Sequence, residues 1–391
     1  MPYTSSRSLL EAERMALVLA FGRLSILEAC TLFEGSVTKA ESPCDRVCVV
    51  TLDISPPDRL AELAGVHKCA PVVSITSEPS SLKELVDVLA GYLEEKTNLS
   101  LSGYGLDDEE YGTMARSLLD GVRAAGYKKV RLMRPAGNEL QSEQVISRRA
   151  VDVVAFPYHE GFALGPTTWV PDSTSKRIRQ SRPVRHPEIS MSPRLARVLV
   201  NLAGLHSGQT ILDPFCGTGT ILTEALLQSF KCLGIDASTR MVQETRKNLL
   251  WYTGGEPSER WDVRTGDATR LYRALRGEKV DAIVSEPVLL PMLHARPSVA
   301  VANEMLGESA EVYSGALASM RESLTPSGRV VIVVPVVTTV DGEEVSLHLD
   351  GRKLGLKLHQ PGPVGFDYPI RLSFESTRWV RRGVYVFEST S

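Results

Sequence analysis

The 391-residue sequence contains no apolar run of the roughly 20 residues that a helix needs to cross a bilayer. It also lacks a signal-peptide pattern, because the short apolar stretch at 15–21 follows the charged residues Glu11, Glu13 and Arg14. These absences predict a cytoplasmic protein with no membrane contact. Repeats and low-complexity segments are absent too, so the length predicts two or three globular domains.

Cysteine is scarce and scattered, with six residues at positions 30, 44, 48, 69, 216 and 232. Cys44 and Cys48 lie close together, but no second close pair follows that would complete a structural zinc site. The pattern therefore favours reduced, buried thiols, and we predict no metal.

The net charge of −3 argues against an indiscriminate nucleic-acid binder. The charge is uneven, however, because basic residues clearly outnumber acidic ones between positions 127 and 197. Such a cluster is either a solvated linker or a surface that binds phosphates. We favour the second interpretation and predict RNA contacts from a set of basic side chains: Lys128, Lys129, Arg131, Lys176, Arg177, Arg179, Arg182 and Arg185.

Residues 1–170 alternate short strand and helix patterns, which predicts an α+β region, and they contain no recognisable catalytic motif. Among its helices we expect one capped by Ser25 that runs to Phe33, and one capped by Ser80-Ser81 that runs to Glu95. The proline-containing segment 171–190 has almost no apolar periodicity and is predicted to be an interdomain linker.

From Ser192-Pro193 the pattern changes to a first helix followed by regularly alternating strands and helices. This predicts an α/β domain with a doubly wound sheet. The expected strands are 210–214, 231–236, 261–265, 280–285, 329–335 and 380–387, and the expected helices between them are 219–230, 238–252, 269–276 and 303–324.

The first of these strands ends in Asp213-Pro214-Phe215-Cys216-Gly217-Thr218-Gly219, a turn that opens a helix. Glycines allow a ligand to approach the backbone, and the helix N-terminus suits a polar nucleoside. Leu222 stands where a dinucleotide fold would have its third glycine, so S-adenosylmethionine (SAM) is favoured over NAD or FAD. The predicted cofactor-binding residues are Asp213, Pro214, Phe215, Gly217, Thr218, Gly219, Asp236, Asp267 and Ala268.

Acidic residues also follow the next two strands. Asp236 is placed to accept from ribose hydroxyls, and Asp267 from an adenine amino group, although each could instead be a helix cap. The fourth strand leads into Ser285-Glu286-Pro287. We predict that Glu286 accepts the hydrogens of an amine substrate, while Pro287 stiffens the turn.

The stretch Arg182-Pro183-x-x-His186-Pro187, the helix 191–204 and the sequence ILDPFCGTGTILTEAL closely resemble the archaeal and eukaryotic tRNA guanosine-10 N2-methyltransferases. The resemblance implies a ferredoxin-like domain (1–78), a THUMP-like RNA-binding domain (79–170), the linker (171–190) and a Rossmann-like SAM-dependent methyltransferase domain (191–391). It also implies tRNA as a partner. A small zinc-binding activator subunit, which some relatives need, is a further expectation.

One motif departs from that family, whose catalytic turn usually reads Asp-Pro-Pro-aromatic where this chain has Glu286-Pro287-Val288-Leu289. A flipped base would then rest on Leu289, Phe366 or Tyr368. Our hypothesis is methylation of a guanosine 2-amino group, at position 10. The alternatives are another guanine or adenine amine of tRNA or rRNA, and a non-catalytic RNA-binding protein that retains SAM.

Overall fold

The computed structural model describes residues 14–52, 58–171, 181–186, 191–256, 258–287, 290, 293–372 and 379–390. The chain forms two compact units, one of Met1–Ser173 with Gly362–Val364, the other of Thr174–Pro361 with Gly365–Ser391. The finer division into a domain at 1–78, one at 79–170 and a linker stays a prediction.

The first unit contains two sheets. An antiparallel four-stranded sheet has the order β2-β3-β1-β4. Its strands are β1 (Arg14–Leu19), β2 (Val37–Cys44), β3 (Val47–Leu52) and β4 (Val66–Pro71). A mixed five-stranded sheet has the order β5-β9-β8-β6-β7. It is built from β5 (Ser74–Thr76), β6 (Asn98–Gly103), β7 (Arg131–Met133), β8 (Ala150–Tyr158) and β9 (Gly161–Pro166).

The helices of this unit are α1 (Arg23–Leu32), α2 (Lys83–Leu89), α3 (Asp108–Ala124) and α4 (Ser142–Ser147), with 3-10 turns at Asp58–Glu62 and Ala136–Asn138. Two predicted caps are wrong. Helix α1 begins after Gly22, and Ser25 lies inside it with its hydroxyl accepting from the Phe21 amide. Helix α2 has Leu82 at its cap position and no side-chain cap, and it ends well before Glu95.

Strand β2 was missed by the sequence analysis. Its residues, VTKAESPC, have one fully buried position and otherwise exposed or half-buried ones. The strand therefore lacks the regular apolar alternation on which a strand prediction depends.

A buried ion pair joins the two sheets of the first unit. The Lys68 ammonium on β4 lies 2.8 Å from an Asp152 carboxylate oxygen on β8, and both side chains are fully buried. Lys68 also donates to the Ser102 hydroxyl, and Asp152 accepts from the hydroxyls of Ser102 and Thr167. These extra hydrogen bonds offset the cost of removing two charges from water.

Lys68→Met should lower the free energy of unfolding of the first unit by about 3–5 kcal/mol, because it leaves the Asp152 carboxylate buried without its cation. Urea denaturation followed by Trp169 fluorescence, in a background where Trp251, Trp261 and Trp379 of the second unit are replaced by Phe, measures the effect. The matched control is Lys39→Met, which removes an exposed ion pair with Glu41 and should cost less than about 1 kcal/mol. Equal effects of the two substitutions would contradict the assignment.

The second unit is built on a nine-stranded sheet whose main path is β12-β11-β10-β13-β14-β18-β16. The strands from β12 to β14 are parallel, and β18 runs antiparallel to both of its neighbours. Their bounds are β10 (Thr210–Asp213), β11 (Lys231–Asp236), β12 (Trp261–Thr265), β13 (Val280–Ser285), β14 (Leu324–Thr338), β15 (Glu344–Ser346), β16 (Leu356–Leu358), β17 (Ile370–Arg371) and β18 (Val380–Ser389).

Its helices are α5 (Pro193–Leu202), α6 (Thr220–Leu227), α7 (Thr239–Tyr252), α8 (Leu271–Leu275) and α9 (Val299–Ser323), with 3-10 turns at Ala268–Arg270 and Arg352–Leu354. The start of α5 is as predicted, since Ser192 caps it and Pro193 occupies its first turn. The α/β fold class is confirmed. Three short strands, β15 to β17, were not predicted, because segments of two or three residues carry no periodicity.

The strand order reverses between β10 and β13, which lie side by side. In open α/β sheets the crevice at such a switch point, beyond the carboxyl ends of the strands, is where ligands bind. The turn after β10 holds most of the predicted cofactor residues, and the turn after β13 holds the predicted catalytic residues. The topology therefore predicts a ligand-binding crevice at this edge of the sheet.

All six cysteines are free thiols, five of them buried and Cys44 half-buried. Burial raises the pKa of Cys30 to about 11 and that of Cys48 to about 12, so these two thiols are poor nucleophiles. Within the ranges that the structure describes, every helix is too short or too polar to cross a bilayer.

Candidate active site

A short hydrogen bond links the ends of the two central strands. The Ser285 hydroxyl, at the end of β13, donates to Asp213 Oδ1, at the end of β10, over 2.7 Å. The Phe215 amide donates to the same oxygen over 3.1 Å. The side chains of Ser285 and Asp213 are buried. Asp213 therefore fixes the position of the cofactor turn relative to the strand that precedes Glu286.

The electrostatics of Asp213 are unusual for an aspartate. Burial is the largest cause that raises its pKa, to about 7, and the nearby carboxylates of Asp236 and Glu286 raise it further. The hydrogen bonds from Ser285 and Phe215 act in the opposite direction but do not outweigh burial. Near neutral pH this carboxyl is therefore shared between its protonated and ionised forms.

The glycine turn is held from one side by Asp236, at the end of β11. One of its oxygens accepts from the Gly217 amide over 3.0 Å, and the other from the Ser238 amide over 2.9 Å. An ionised carboxylate offers about four acceptor positions, so Asp236 retains capacity for further hydroxyl donors.

The two glycines of the turn serve different purposes. Gly219 has φ +80°, and a Cβ there would lie 2.8 Å from Thr245 Cγ2, so close packing excludes any larger residue. Gly217 has φ +51°, but a Cβ there would meet nothing closer than the Phe215 carbonyl oxygen at 4.0 Å. The backbone at Gly217 is therefore open to an approaching ligand.

Helix α7 supports the turn from behind through two residues that the sequence analysis missed. The Thr245 hydroxyl donates to the Gly217 carbonyl over 2.6 Å, and the Asn248 amide donates to the Thr218 carbonyl over 2.8 Å. Both side chains are buried. Two polar residues three positions apart on one face of a helix were the available signal.

Asn248 also binds the segment 181–186, which precedes helix α5. It accepts from the Val184 amide over 3.0 Å and donates to the Val184 carbonyl over 3.1 Å. In the same segment, Arg182 donates to the Thr220 hydroxyl over 2.7 Å, and His186 lies 2.8 Å from Glu244. Exposure alternates along it, so residues 182, 184 and 186 face the domain while 181, 183 and 185 are exposed.

Asp267 follows β12 and caps the 3-10 turn Ala268–Arg270. Its Oδ1 accepts from both the amide and the hydroxyl of Thr269, which lowers its pKa. It is brought beside the cofactor turn because its neighbour Gly266 donates to the Asp236 carbonyl over 3.0 Å. Ala268 is buried in the core, and Phe215 packs against the same core cluster.

The remaining turn residues, Pro214 and Thr218, are buried. The structure thus gathers the predicted cofactor residues from 213 to 219 with Asp236 at one edge of the sheet, and it sets Asp267 next to them. Within this group the Ala268 side chain packs in the core, and its cofactor contact stays a prediction.

Glu286 follows β13 directly and is engaged by Arg382 of β18, whose Nε donates to its Oε1 over 2.5 Å. Sequence reasoning did not find Arg382, because nothing in the chain places β18 near the catalytic turn before the fold is known. Pro287 is buried beside Glu286, and Leu289 lies outside the described residues.

The two aromatic residues predicted as supports for a flipped base differ in burial: Phe366 is buried and Tyr368 is half-buried. Phe366 is 4% exposed. The Tyr368 ring stacks on Tyr385 with centroids 6.0 Å apart, and its hydroxyl donates to the His359 carbonyl. The Phe366 ring is therefore covered, and one face of the Tyr368 ring is occupied by Tyr385.

On the first unit, a basic hollow is formed by Arg123 at the end of α3 and by Lys128, Lys129, Arg131 and Arg134 around β7. Three of these were predicted to bind RNA, and Arg123 and Arg134 join them in the fold. Lys129 also forms an ion pair with Glu95. Of the other predicted residues, Arg185 is exposed, whereas Lys176, Arg177 and Arg179 lie outside the described residues.

This arrangement of sheet and turns agrees with a family comparison. Residues 179–340 match the family described as "RMKL-like, methyltransferase domain" (UPF0020). This part of the chain is therefore similar to the methyltransferase domain that the family description names. The resemblance noted in the sequence motifs is confirmed for this domain.

The curated relatives are more specific. A tRNA (guanine(10)-N2)-dimethyltransferase of Methanothermobacter thermautotrophicus is 38% identical over 167 residues, or 41% of this chain and 44% of the relative. The protein of the same name from Pyrococcus abyssi is 34% identical over 165 residues, or 41% and 43%. The chain thus spans less than half the length of each of these two relatives.

Solved structures are similar in fold. TrmN from Thermus thermophilus has a TM-score of 0.50 and 19% identity, covering 96% of this chain and 99% of that chain. A possible methylase from Clostridium difficile 630 has a TM-score of 0.52 and 13% identity, covering 97% and 98%. At these identities the likeness concerns the fold, which is mixed α/β with a Rossmann-like methyltransferase sheet.

Asp213→Asn should remove a pH dependence of stability in the cofactor-free protein. The pKa of Asp213 is raised in the folded state to about 7 from 3.8, so between about pH 4 and pH 7 the folded state binds more protons than the unfolded state. The contribution of this group to the free energy of unfolding therefore falls as pH rises, by at most about 1.4 kcal/mol per pH unit.

The difference in unfolding free energy, Asp213→Asn minus wild type, should accordingly increase from pH 5 to pH 7 and then level off. Urea denaturation at several pH values measures it. Asp267→Asn is the control, because the lowered pKa of Asp267 keeps that residue ionised across this range and its difference should stay flat. A flat profile for Asp213→Asn would show that the carboxyl is ionised throughout.

Proposed function

We propose that the protein is a SAM-dependent tRNA methyltransferase that methylates the exocyclic 2-amino group of a guanosine, at position 10. The observation that carries the proposal is the Ser285–Asp213 hydrogen bond, which joins the glycine turn to the strand end bearing Glu286. A cofactor turn and an amine acceptor at one crevice are what methyl transfer to a base requires. The names of the curated relatives support the substrate.

The residues around the turn fit SAM. The open backbone at Gly217 allows close approach, and Asp236 has acceptor capacity left for the ribose hydroxyls. Asp267, exposed beside Asp236, would accept from the adenine amino group. When bound, the cofactor supplies an electrophilic methyl group.

The chain's own contribution to the chemistry is positioning and electrostatics. A guanine amine is a poor nucleophile because its lone pair is delocalised into the ring. Glu286 and the backbone carbonyl beside it accept hydrogen bonds from the amine and direct its lone pair toward the methyl group. Buried Pro287 restricts the backbone that carries this carbonyl.

The first unit is proposed to hold the tRNA, as a ferredoxin-like domain followed by a THUMP-like domain would. The basic hollow supports this, because several guanidinium and ammonium groups on one surface match a phosphate backbone. Arg185 faces solvent on the segment that precedes helix α5 and is placed to add a contact. The zinc-binding activator subunit and the cytoplasmic location remain predictions from the sequence.

The test is incubation of the purified protein with SAM and unmodified tRNA transcripts, followed by digestion and mapping of modified nucleosides by mass spectrometry. We expect N2-methylated guanosine at position 10. Glu286→Ala should lower the rate of product formation at least about 100-fold while retaining S-adenosylhomocysteine binding. Normal turnover by Glu286→Ala would remove its catalytic role.

Methylation of another guanine or of an adenine amine would keep the chemistry and change the substrate. If the wild-type protein binds cofactor and tRNA but forms no product on any transcript, alone or with an activator subunit, the enzymatic proposal is wrong.

Neutralising the basic hollow should weaken tRNA binding without affecting the cofactor. For Lys128→Gln/Arg131→Gln we expect at least about a tenfold loss of tRNA affinity, and a slope of log affinity against log salt that is smaller by about two. Filter binding across a salt series measures both. Lys83→Gln, an exposed lysine of the same unit at the start of α2, is the control and should leave affinity and slope unchanged.

A further inference from the structure

Two consecutive arginines on β18 each engage a glutamate, but in different places. Arg381 forms an ion pair with Glu344 of β15 and contacts the Thr338 hydroxyl at the end of β14. Arg382 donates to Glu286 of the catalytic turn, and the side chains of this second pair are 9% and 13% exposed. Arg382 therefore lies at the candidate site, and Arg381, which pairs with a glutamate elsewhere, is a matched control for substitutions of Arg382.

The register of the sheet gives the distance along β14 between the end of β13 and Arg382. Ser285, the residue before Glu286, pairs with Ile332 of β14, whereas Arg382 pairs with Pro335. Arg382 thus lies three residues, or roughly 10 Å, beyond the end of β13 along β14, and on the far side of that strand. The Glu286 and Arg382 side chains therefore meet across β14, and this contact sets the direction in which Glu286 points.

Glu286 lies among other acidic groups, so a cation beside it offsets the repulsion between their negative charges. Asp213 lies near enough for the Glu286 carboxylate to raise its pKa, and Asp236 belongs to the same group of carboxylates. Burial raises the pKa of the Tyr313 hydroxyl on α9, and the nearby Glu286 carboxylate raises it further. Arg382 brings positive charge and directional N–H donors to a crevice otherwise dominated by acidic groups.

We propose that Arg382 is a positioning residue for methyl transfer, which holds the Glu286 carboxylate in the orientation that receives the amine. The inference rests on the proposed function, because it assigns the role of Arg382 through Glu286. A glutamate has three side-chain torsions, and restricting them in advance lowers the cost of reaching the reactive geometry. The loss of Arg382 should therefore lower turnover and leave cofactor binding intact.

The experiment is a double-mutant cycle on the full chain with Arg382→Met, Glu286→Gln and the double variant, plus Arg382→Lys and the control Arg381→Met. The measured quantities are kcat and KM with tRNA, S-adenosylhomocysteine affinity by calorimetry, and the thermal unfolding midpoint. For Arg382→Met we expect a 10- to 100-fold lower kcat, with KM and cofactor affinity within about twofold of wild type.

Two comparisons separate positioning from mere support of the fold. Arg382→Lys should recover part of the lost kcat, because it restores charge without the planar donor group. In the Glu286→Gln background, Arg382→Met should lower kcat less than about threefold further, since two residues that act as a unit are not additive. Arg381→Met should leave kcat within about twofold of wild type.

Additive losses in the cycle, a parallel loss of cofactor affinity, or an equal effect of Arg381→Met would overturn the inference. If Arg382→Met does not fold, Arg382→Lys decides: a kcat at least threefold lower with unchanged cofactor affinity is expected, and wild-type kcat rejects the role. A wild-type protein that methylates no tRNA would instead refute the proposed function, whatever the variants do.

Discussion

The buried carboxyl of Asp213 is the point on which the geometry of the second unit depends. It accepts from Ser285 across the strand boundary and from Phe215 within its own turn. Because β10 and β13 lie side by side where the strand order reverses, this one group determines how the glycine turn sits against the catalytic turn. A side chain at this position must accept two hydrogen bonds while being buried, which few residue types can do.

Several acidic side chains lie around this carboxyl, and each accepts hydrogen bonds from its own donor. Asp236 accepts from two backbone amides, Asp267 from Thr269, and Glu286 from Arg382. Each partner comes from a different element of the sheet edge. Clusters of like charge at a strand edge are costly unless each member has its own donor, and here the donors also define where each carboxylate points.

Much of the second unit could be predicted from sequence because its strands are apolar runs separated by clear helical patterns. The glycine turn and its acidic neighbours were likewise visible, since their spacing follows from where a parallel sheet places a nucleoside. Arg382 was beyond such reasoning, because its meeting with Glu286 depends on β18 inserting beside β14. Thr245 and Asn248 were missed because they bind backbone groups: two polar residues on one helix face indicate a contact, but not the group that they contact.

Less of the first unit could be predicted from its sequence. Strand β2 is polar along most of its length, and two helices begin without the side-chain caps that serine-containing sequences predicted. Lys68 and Asp152 are far apart in the chain and ordinary in type, so only the packing of two sheets explains why a buried charge pair exists there. Local sequence rules lose their power where tertiary contacts decide the outcome.

The alternation in the segment 181–186 has a consequence for changes in chain length. Arg182, Val184 and His186 face the domain and bind Thr220, Asn248 and Glu244, while Arg185 lies on the solvent side. Deleting one residue at position 183 would exchange the two faces, turning Arg185 inward and an anchoring side chain outward. This short segment therefore tolerates substitution on its outer face far better than any insertion or deletion, and its length is as much a part of the site as its residues are.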